Sequence, residues 1–148
     1  MAKEEDIREE LLKQFSFLEG SLNIVRPRRI SLQVSSEVFL QVLAFVSQKL
    51  SFKHLCTITG VDEGQDLGLI YHLSDESGIV INIKMNVPKA NPVLKTITDI
   101  FPSADIYERE LMDLLGARVQ GLAQGHRYPL TDDWPACQFP LRKDCILG

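Results

Sequence analysis

Cysteine is scarce in this chain, and the three present, Cys56, Cys137 and Cys145, show no CxxC spacing. An odd count without paired spacing argues for reduced thiols rather than a disulfide framework. An iron–sulfur cluster asks for four thiolates, one more than the chain has. Cys56 sits in an apolar run and reads as a small core residue. Cys137, Cys145 and His126 share the last third of the chain, but structural zinc sites gather their ligands in closely spaced pairs, so the three read as unrelated. Long hydrophobic runs are missing too. No uncharged apolar stretch nears the roughly 20 residues a membrane span needs. Basic charge is not in excess: 16 Lys and Arg against 20 Asp and Glu leave a net charge of −4. That balance excludes the basic field of a nucleic-acid-binding surface. No glycine-rich phosphate cradle is present. The opening stretch is acidic and amphipathic, unlike a secretory signal or a transit peptide. These absences predict a cytoplasmic chain that meets a membrane only through a partner.

What is present suits one ordinary core: 148 residues, 45% apolar and 24% charged. Residues 4–18 place Ile7, Leu11, Leu12, Phe15 and Leu18 at helical spacing, with Gly20 suited to the helix end. Residues 29–34 alternate like a half-buried strand, and Ser35 or Ser36 can cap a helix carrying Phe39, Leu40, Leu43 and Val46. Strands are expected over 55–61, 67–73 and 79–87. Their separators, DEGQD and SDESG, are turn chemistry and imply antiparallel hairpins. Pro88 stops the last strand. A short helix is expected over 92–100 and a second over 105–115. Clustered strands with helices outside them predict an α+β fold, an antiparallel sheet with helices packed on one face and an irregular C-terminal extension. The expected division is a core domain over 1–116 and an extended segment over 117–148.

That extension has little periodicity, with Pro129, Pro135 and Pro140 breaking it. It is nonetheless apolar, with Leu122, Tyr128, Leu130, Trp134, Phe139, Leu141 and Ile146. An irregular segment rich in anchoring side chains either lies along another protein, as interface hot spots do, or wraps its own core as an ordered coil.

The helix at 105–115 carries the densest polar pattern. Asp105 and Glu108 have capping-box spacing, and Gly116 sits where a left-handed cap is wanted. Glu108, Arg109, Glu110 and Asp113 crowd its polar face, with Arg109 and Asp113 at i,i+4. In one reading this is a solvated face with an ion pair worth a few tenths of a kcal/mol. In another, Glu108, Glu110 or Asp113 does acid–base work or binds a divalent metal.

The stretch PSADIYERELMDLLGARVQG followed by LTDDWPACQFPLRKD resembles the thirty-kilodalton-subunit family of respiratory complex I, which includes the equivalent subunits of membrane-bound, energy-converting NiFe hydrogenases. One motif is E-R-E, two residues, an acid and two apolar residues, met by Glu108, Arg109, Glu110, Asp113, Leu114 and Leu115. The other is P-L-R-K-D, met by Pro140, Leu141, Arg142, Lys143 and Asp144. The detailed likeness covers roughly residues 100–144. The DDWP form with Trp134 looks more like the hydrogenase-type branch. In place of the basic residue the family usually has seven positions after the second apolar one stands Leu122, with His126 and Arg127 following.

The resemblance implies a subunit that binds no cofactor of its own and packs against the large catalytic subunit, quinone-site or NiFe in type. Other hydrophilic-arm subunits lie beside it. Iron–sulfur clusters and the quinone or NiFe site belong to those other subunits, and the chain is peripheral to the inner face of the cell membrane. Arg109 and Arg142 would form bidentate bonds to partner carboxylates. The alternatives are an independent protein-binding regulatory module that shares the fold, and an enzyme in its own right, though neither nucleophile nor cofactor cradle accompanies the carboxylates.

Overall fold

The apolar positions that set the helical and alternating patterns are the ones that become buried. The structure, a computed structural model, describes residues 3–145, so Ile146 lies outside the described residues. In chain order the elements are α1 (Lys3–Gln14), a 3-10 turn (Ser16–Leu18), β1 (Leu22–Arg26), β2 (Arg29–Gln33), α2 (Phe39–Gln48), β3 (His54–Asp62), β4 (Asp66–Ser74), β5 (Val80–Pro88), β6 (Val93–Lys95), α3 (Ala104–Leu115) and β7 (Arg118–Gln120). The fold is α+β, as the sequence predicts. Five strands form one sheet in the order β1-β2-β5-β4-β3, and β6 and β7 form a second.

The sheet is mixed rather than antiparallel. β1 and β2 pair antiparallel, but β2 lies parallel to β5, with Ile30 opposite Ile81 and Leu32 opposite Ile83. The connection from β2 to β5 runs through α2, β3 and β4, and a connection of that length allows parallel pairing where a short hairpin cannot. Three local expectations also change. Residues 92–100 are not a helix: Val93–Lys95 pairs parallel with Arg118–Gln120, and only a single turn follows, where Phe101 N–H donates to Ile97 O (2.8 Å). Val93, Thr96, Ile97, Thr98 and Ile100 are β-branched and suit a strand once one is offered. Neither Ser35 nor Ser36 supplies a side-chain cap to α2; Val38 holds the N-cap position, and its N–H donates to Ser35 O (3.3 Å). β1 is a strand that the sequence pattern does not predict, because Asn23, Val25 and Arg26 leave one exposed edge without clean alternation.

The chain divides into two units. The first comprises Met1–Thr57 and Ile70–Met85. Its core holds Ile7 and Leu11 of α1, Ile30 and Leu32 of β2, Val42 and Leu43 of α2, and Ile81 and Ile83 of β5. Each such fully buried aliphatic side chain contributes roughly 1.5–3 kcal/mol. Phe15 meets Phe45 edge-on at 5.5 Å between centroids, and Phe39 lies 4.5 Å from Tyr71. Glu4, Glu5 and Asp6 occupy the first turn of α1, complementing its dipole. The Glu4 carboxylate accepts the Arg28 N–H (2.7 Å). The second unit comprises Ile58–Leu69 and Asn86–Gly148, and it contains every residue of the two motifs.

Candidate functional site

Helix α3 organises the second unit. Its buried stripe includes Ala104, Leu111 and Leu115, and a Cβ built on Gly60 would collide with the Leu115 and Leu111 side chains, so the bare β3 backbone at Gly60 seats those two leucines of α3. Gly116 ends the helix at φ 75°, and its N–H is directed to the Leu111 and Met112 carbonyls. A Cβ there would lie 2.7 Å from the Phe139 ring, so the left-handed turn also leaves the space that ring occupies.

The polar face of α3 is not solvated. Glu108 is fully buried and Asp113 is 8% exposed. Glu108 does not reach back to cap its own helix. It accepts the Thr96 hydroxyl (2.6 Å) and the Ile97 N–H (2.9 Å), clamping the turn after β6 to α3. Burial pushes its carboxyl above the ordinary range, against the opposing pull of those two hydrogen bonds. Arg109 pairs with Asp105, not Asp113: its Nε and one terminal nitrogen donate to the two carboxylate oxygens at 2.6 and 3.2 Å. That bond raises Arg109 above its usual value. The same guanidinium donates to Ala123 O (2.5 Å). Asp113 instead receives Arg127 Nε (3.4 Å) and the Leu130 N–H (3.1 Å). Glu110 and Leu114 are half-buried.

The coil after β7 is fastened at several points. Arg127 also donates to Trp134 O, and the Trp134 indole donates to Gln138 O, each at 2.8 Å. The Leu141 N–H donates to Leu114 O (2.9 Å). Arg142 Nε donates to Leu115 O (2.6 Å), one of the carbonyls that a helix end leaves without an intrahelical donor, and a terminal nitrogen reaches Lys89 O (3.4 Å). The guanidinium lies over the Phe139 ring, 5.2 Å from its centroid. Lys143 donates its backbone N–H to Asp62 (2.7 Å), which also accepts Gly64 N–H (2.9 Å) and the Lys89 ammonium (2.6 Å). Lys89 and those amides hold Asp62 well below the usual carboxylate range, and Asp62 in turn raises Lys89. Asp144 meets Lys89 at 3.3 Å from a largely exposed position. Pro140 is half-buried, while Leu141 is 55% exposed.

Three contributors to this site are not singled out by the sequence pattern: Asp62, Lys89 and Thr96. Asp62 followed by Gly64 is the spacing of an Asx turn, a signal by which Asp62 could be found. Among the described residues, no three His, Cys, Asp or Glu side chains come together as a possible metal site. None of the described helices is long and apolar enough to cross a membrane.

The family model described as respiratory-chain NADH dehydrogenase, 30 Kd subunit, matches residues 32–148. The beta subunit of the membrane-bound hydrogenase of Pyrococcus furiosus is 31% identical, over 78% of this chain and 69% of that protein. The C subunit of the F(420)H(2) dehydrogenase of Methanosarcina mazei is 29% identical, over 93% of this chain and 89% of that protein. The C subunit of the NADH-quinone oxidoreductase of Moorella thermoacetica is 30% identical over 92% and 90%. A solved chain of the membrane-bound sulfane sulfur reductase, an archaeal respiratory membrane complex, superposes with a TM-score of 0.84 at 27% identity, covering 98% of this chain and 86% of that one.

Proposed function

We propose, for a chain that belongs to the family of the respiratory-chain NADH dehydrogenase 30 kDa subunit, a structural role within a larger redox assembly. It is a subunit of a complex I-like or membrane-bound hydrogenase-like complex. In this reading it holds no cofactor and performs no chemistry alone. Residues 1–116 serve as the scaffold, and 117–148 lie against the large catalytic subunit. Iron–sulfur clusters and a quinone or NiFe site sit in other subunits, and the assembly places this chain at the cytoplasmic face of the membrane.

One observation carries the reading. The coil after β7 is fixed through Asp113, Arg127, Trp134 and Arg142, while Tyr128 and Leu141 keep 42% and 55% of their surface exposed. A coil ordered before it binds has already met its entropy cost, so its outward apolar groups are preorganised for a partner. The motif residues then divide their work. Glu108, Arg109 and Asp113 shape the surface, and Leu141, Arg142, Lys143 and Asp144 present it. Arg109, with three N–H donors already engaged, is a support rather than a contact.

The test is affinity purification of the complex from its native host through a tag on this chain. A stoichiometric large subunit is expected, with the isolated chain colourless and without turnover. Substoichiometric or varied companions would instead indicate an independent binding module. Stoichiometric zinc lost on Cys137→Ser or Cys145→Ser would restore the metal-site reading.

A further inference from the structure

Arg142 is braced but not neutralised. Its Nε and one terminal N–H go to backbone carbonyls, and its face is covered by Phe139. Three of its five N–H donors have no acceptor among the described residues, and no carboxylate there lies within ion-pair distance of it. Arg109 and Arg127, by contrast, each have a carboxylate. The Arg142 side chain lines two open grooves, of about 470 and 260 Å³. The first is shared with Gly64, Gln65, Lys89, Ala90 and Asp144, the second with Phe139 and Asp144 among others.

The second cation of the larger groove, Lys89, has two partners of different kinds. Asp62 has a side chain only 1% exposed and is locked by two backbone amides as well as Lys89. Asp144 is 66% exposed and touches Lys89 through one oxygen at 3.3 Å. An exposed, single-oxygen contact of this kind is worth little, so it exchanges readily for a better acceptor. A planar guanidinium with open donors is built to take a carboxylate in the two-bond geometry. The neighbouring Leu141 is exposed, so the acceptor is best supplied by a polypeptide that covers apolar surface as well.

We propose that this groove receives an Asp or Glu side chain of a neighbouring subunit, with Arg142 as its receptor and Asp144 as the internal placeholder displaced from Lys89. The inference rests on the reading that residues 117–148 face another subunit, and it names the chemistry of the contact. Its consequence is an unusual asymmetry. Arg142 and Asp144 stand two residues apart in one motif, yet removing their charges has opposite effects on assembly.

The experiment uses the tagged full chain recovered with its complex, read as the fraction of large subunit retained across a sodium chloride series, beside thermal melts of the chain alone. Arg142→Gln is expected to weaken association on the order of thirtyfold or more, because the incoming carboxylate is left without its receptor. Asp144→Asn is expected to hold the complex as well as or better than the wild type. Zero-length carbodiimide coupling should join Lys89 or Lys143 to a partner Asp or Glu. Arg142→Lys keeps the charge without the fork, and weakened retention with an unchanged melt supports the proposal even where Arg142→Gln lowers the melt. Unchanged retention by both Arg142 variants overturns it, as does a loss in Asp144→Asn equal to that in Arg142→Gln. A wild-type chain that retains no subunit at all refutes the assembly role itself, so the two failures are told apart.

Discussion

Glu108 offers the sharpest test of how the motif works, because two substitutions that both remove its charge should behave differently. Glu108→Ala deletes the acceptor of a buried backbone N–H, that of Ile97, and leaves a fully buried side chain's space empty. An unsatisfied buried donor costs about 1–3 kcal/mol. A void of roughly 50 Å³ adds about 1 kcal/mol at the measured cost per unit of cavity volume. Relief from burying a carboxyl offsets part of this, so the net loss is about 2 kcal/mol, or roughly 4–8 °C in a chain of this size. Glu108→Gln keeps the volume. Its carbonyl oxygen can accept from Ile97, while its amide donates to the Thr96 oxygen, whose own proton turns to Thr98 at 2.8 Å. That exchange should cost less than about 1 kcal/mol.

The pH dependence separates the two causes further. Burial raises the Glu108 carboxyl in the folded chain. A carboxyl raised by folding contributes stability that is fully present below its unfolded value and is lost as pH rises through the folded value. The wild type should therefore lose this contribution on going from acid towards neutral pH, and the Glu108→Gln variant should not. Urea unfolding at several pH values from about 4 to about 8 reads the difference, which should move in favour of the glutamine variant as pH rises. If Glu108→Gln destabilises as much as Glu108→Ala at neutral pH, the ionised carboxylate itself is required and the burial argument fails.

Asp113→Ala should lower stability by about 2–3 kcal/mol by stranding the Leu130 N–H and the Arg127 guanidinium. Faster tryptic cleavage after Arg127 should accompany the lower unfolding midpoint. Asp62, held below the usual carboxylate range, contributes stability above the unfolded value near about 3.9 and loses it only as pH falls towards the folded value. The stability gap between wild type and Asp62→Asn should stay constant above about pH 5 and close in stronger acid, as read by acid titration followed by circular dichroism. Gly116→Ala should cost about 2 kcal/mol, since it combines a left-handed backbone with a Cβ 2.7 Å from the Phe139 ring. A melt unchanged from wild type would show that Phe139 moves aside freely.

Much of the chain is legible in its residues alone. The expected helix over 105–115 is Ala104–Leu115, Gly116 is its left-handed cap, and the alternation of residues 79–87 places Ile81, Ile83, Met85 and Val87 in the interior. The turn chemistry of DEGQD and SDESG also holds, with Asp75 accepting the Ser77 and Ile79 N–H groups. Residues 92–100 have apolar spacing that fits a helix, and the structure makes them a strand and a turn. Spacing cannot report that Arg118–Gln120 arrives beside them as a strand.

Elements whose causes are local follow from the residues themselves: periodic apolar residues, a capping glycine, turn residues within a few positions of one another. Spacing along the helix pairs Arg109 with Asp113, although Asp105 stands equally one turn back. Only the tertiary structure chose between them, because Asp113 is claimed by Arg127 and the Leu130 N–H, 14 and 17 residues further along. The same holds for Glu108, whose donors lie 12 and 11 residues back, and for Asp62, whose amide donor from Lys143 is 81 residues away. A carboxylate's character is set by what desolvates it and which donors surround it. Those neighbours are brought together by the chain's path and leave no period in the sequence.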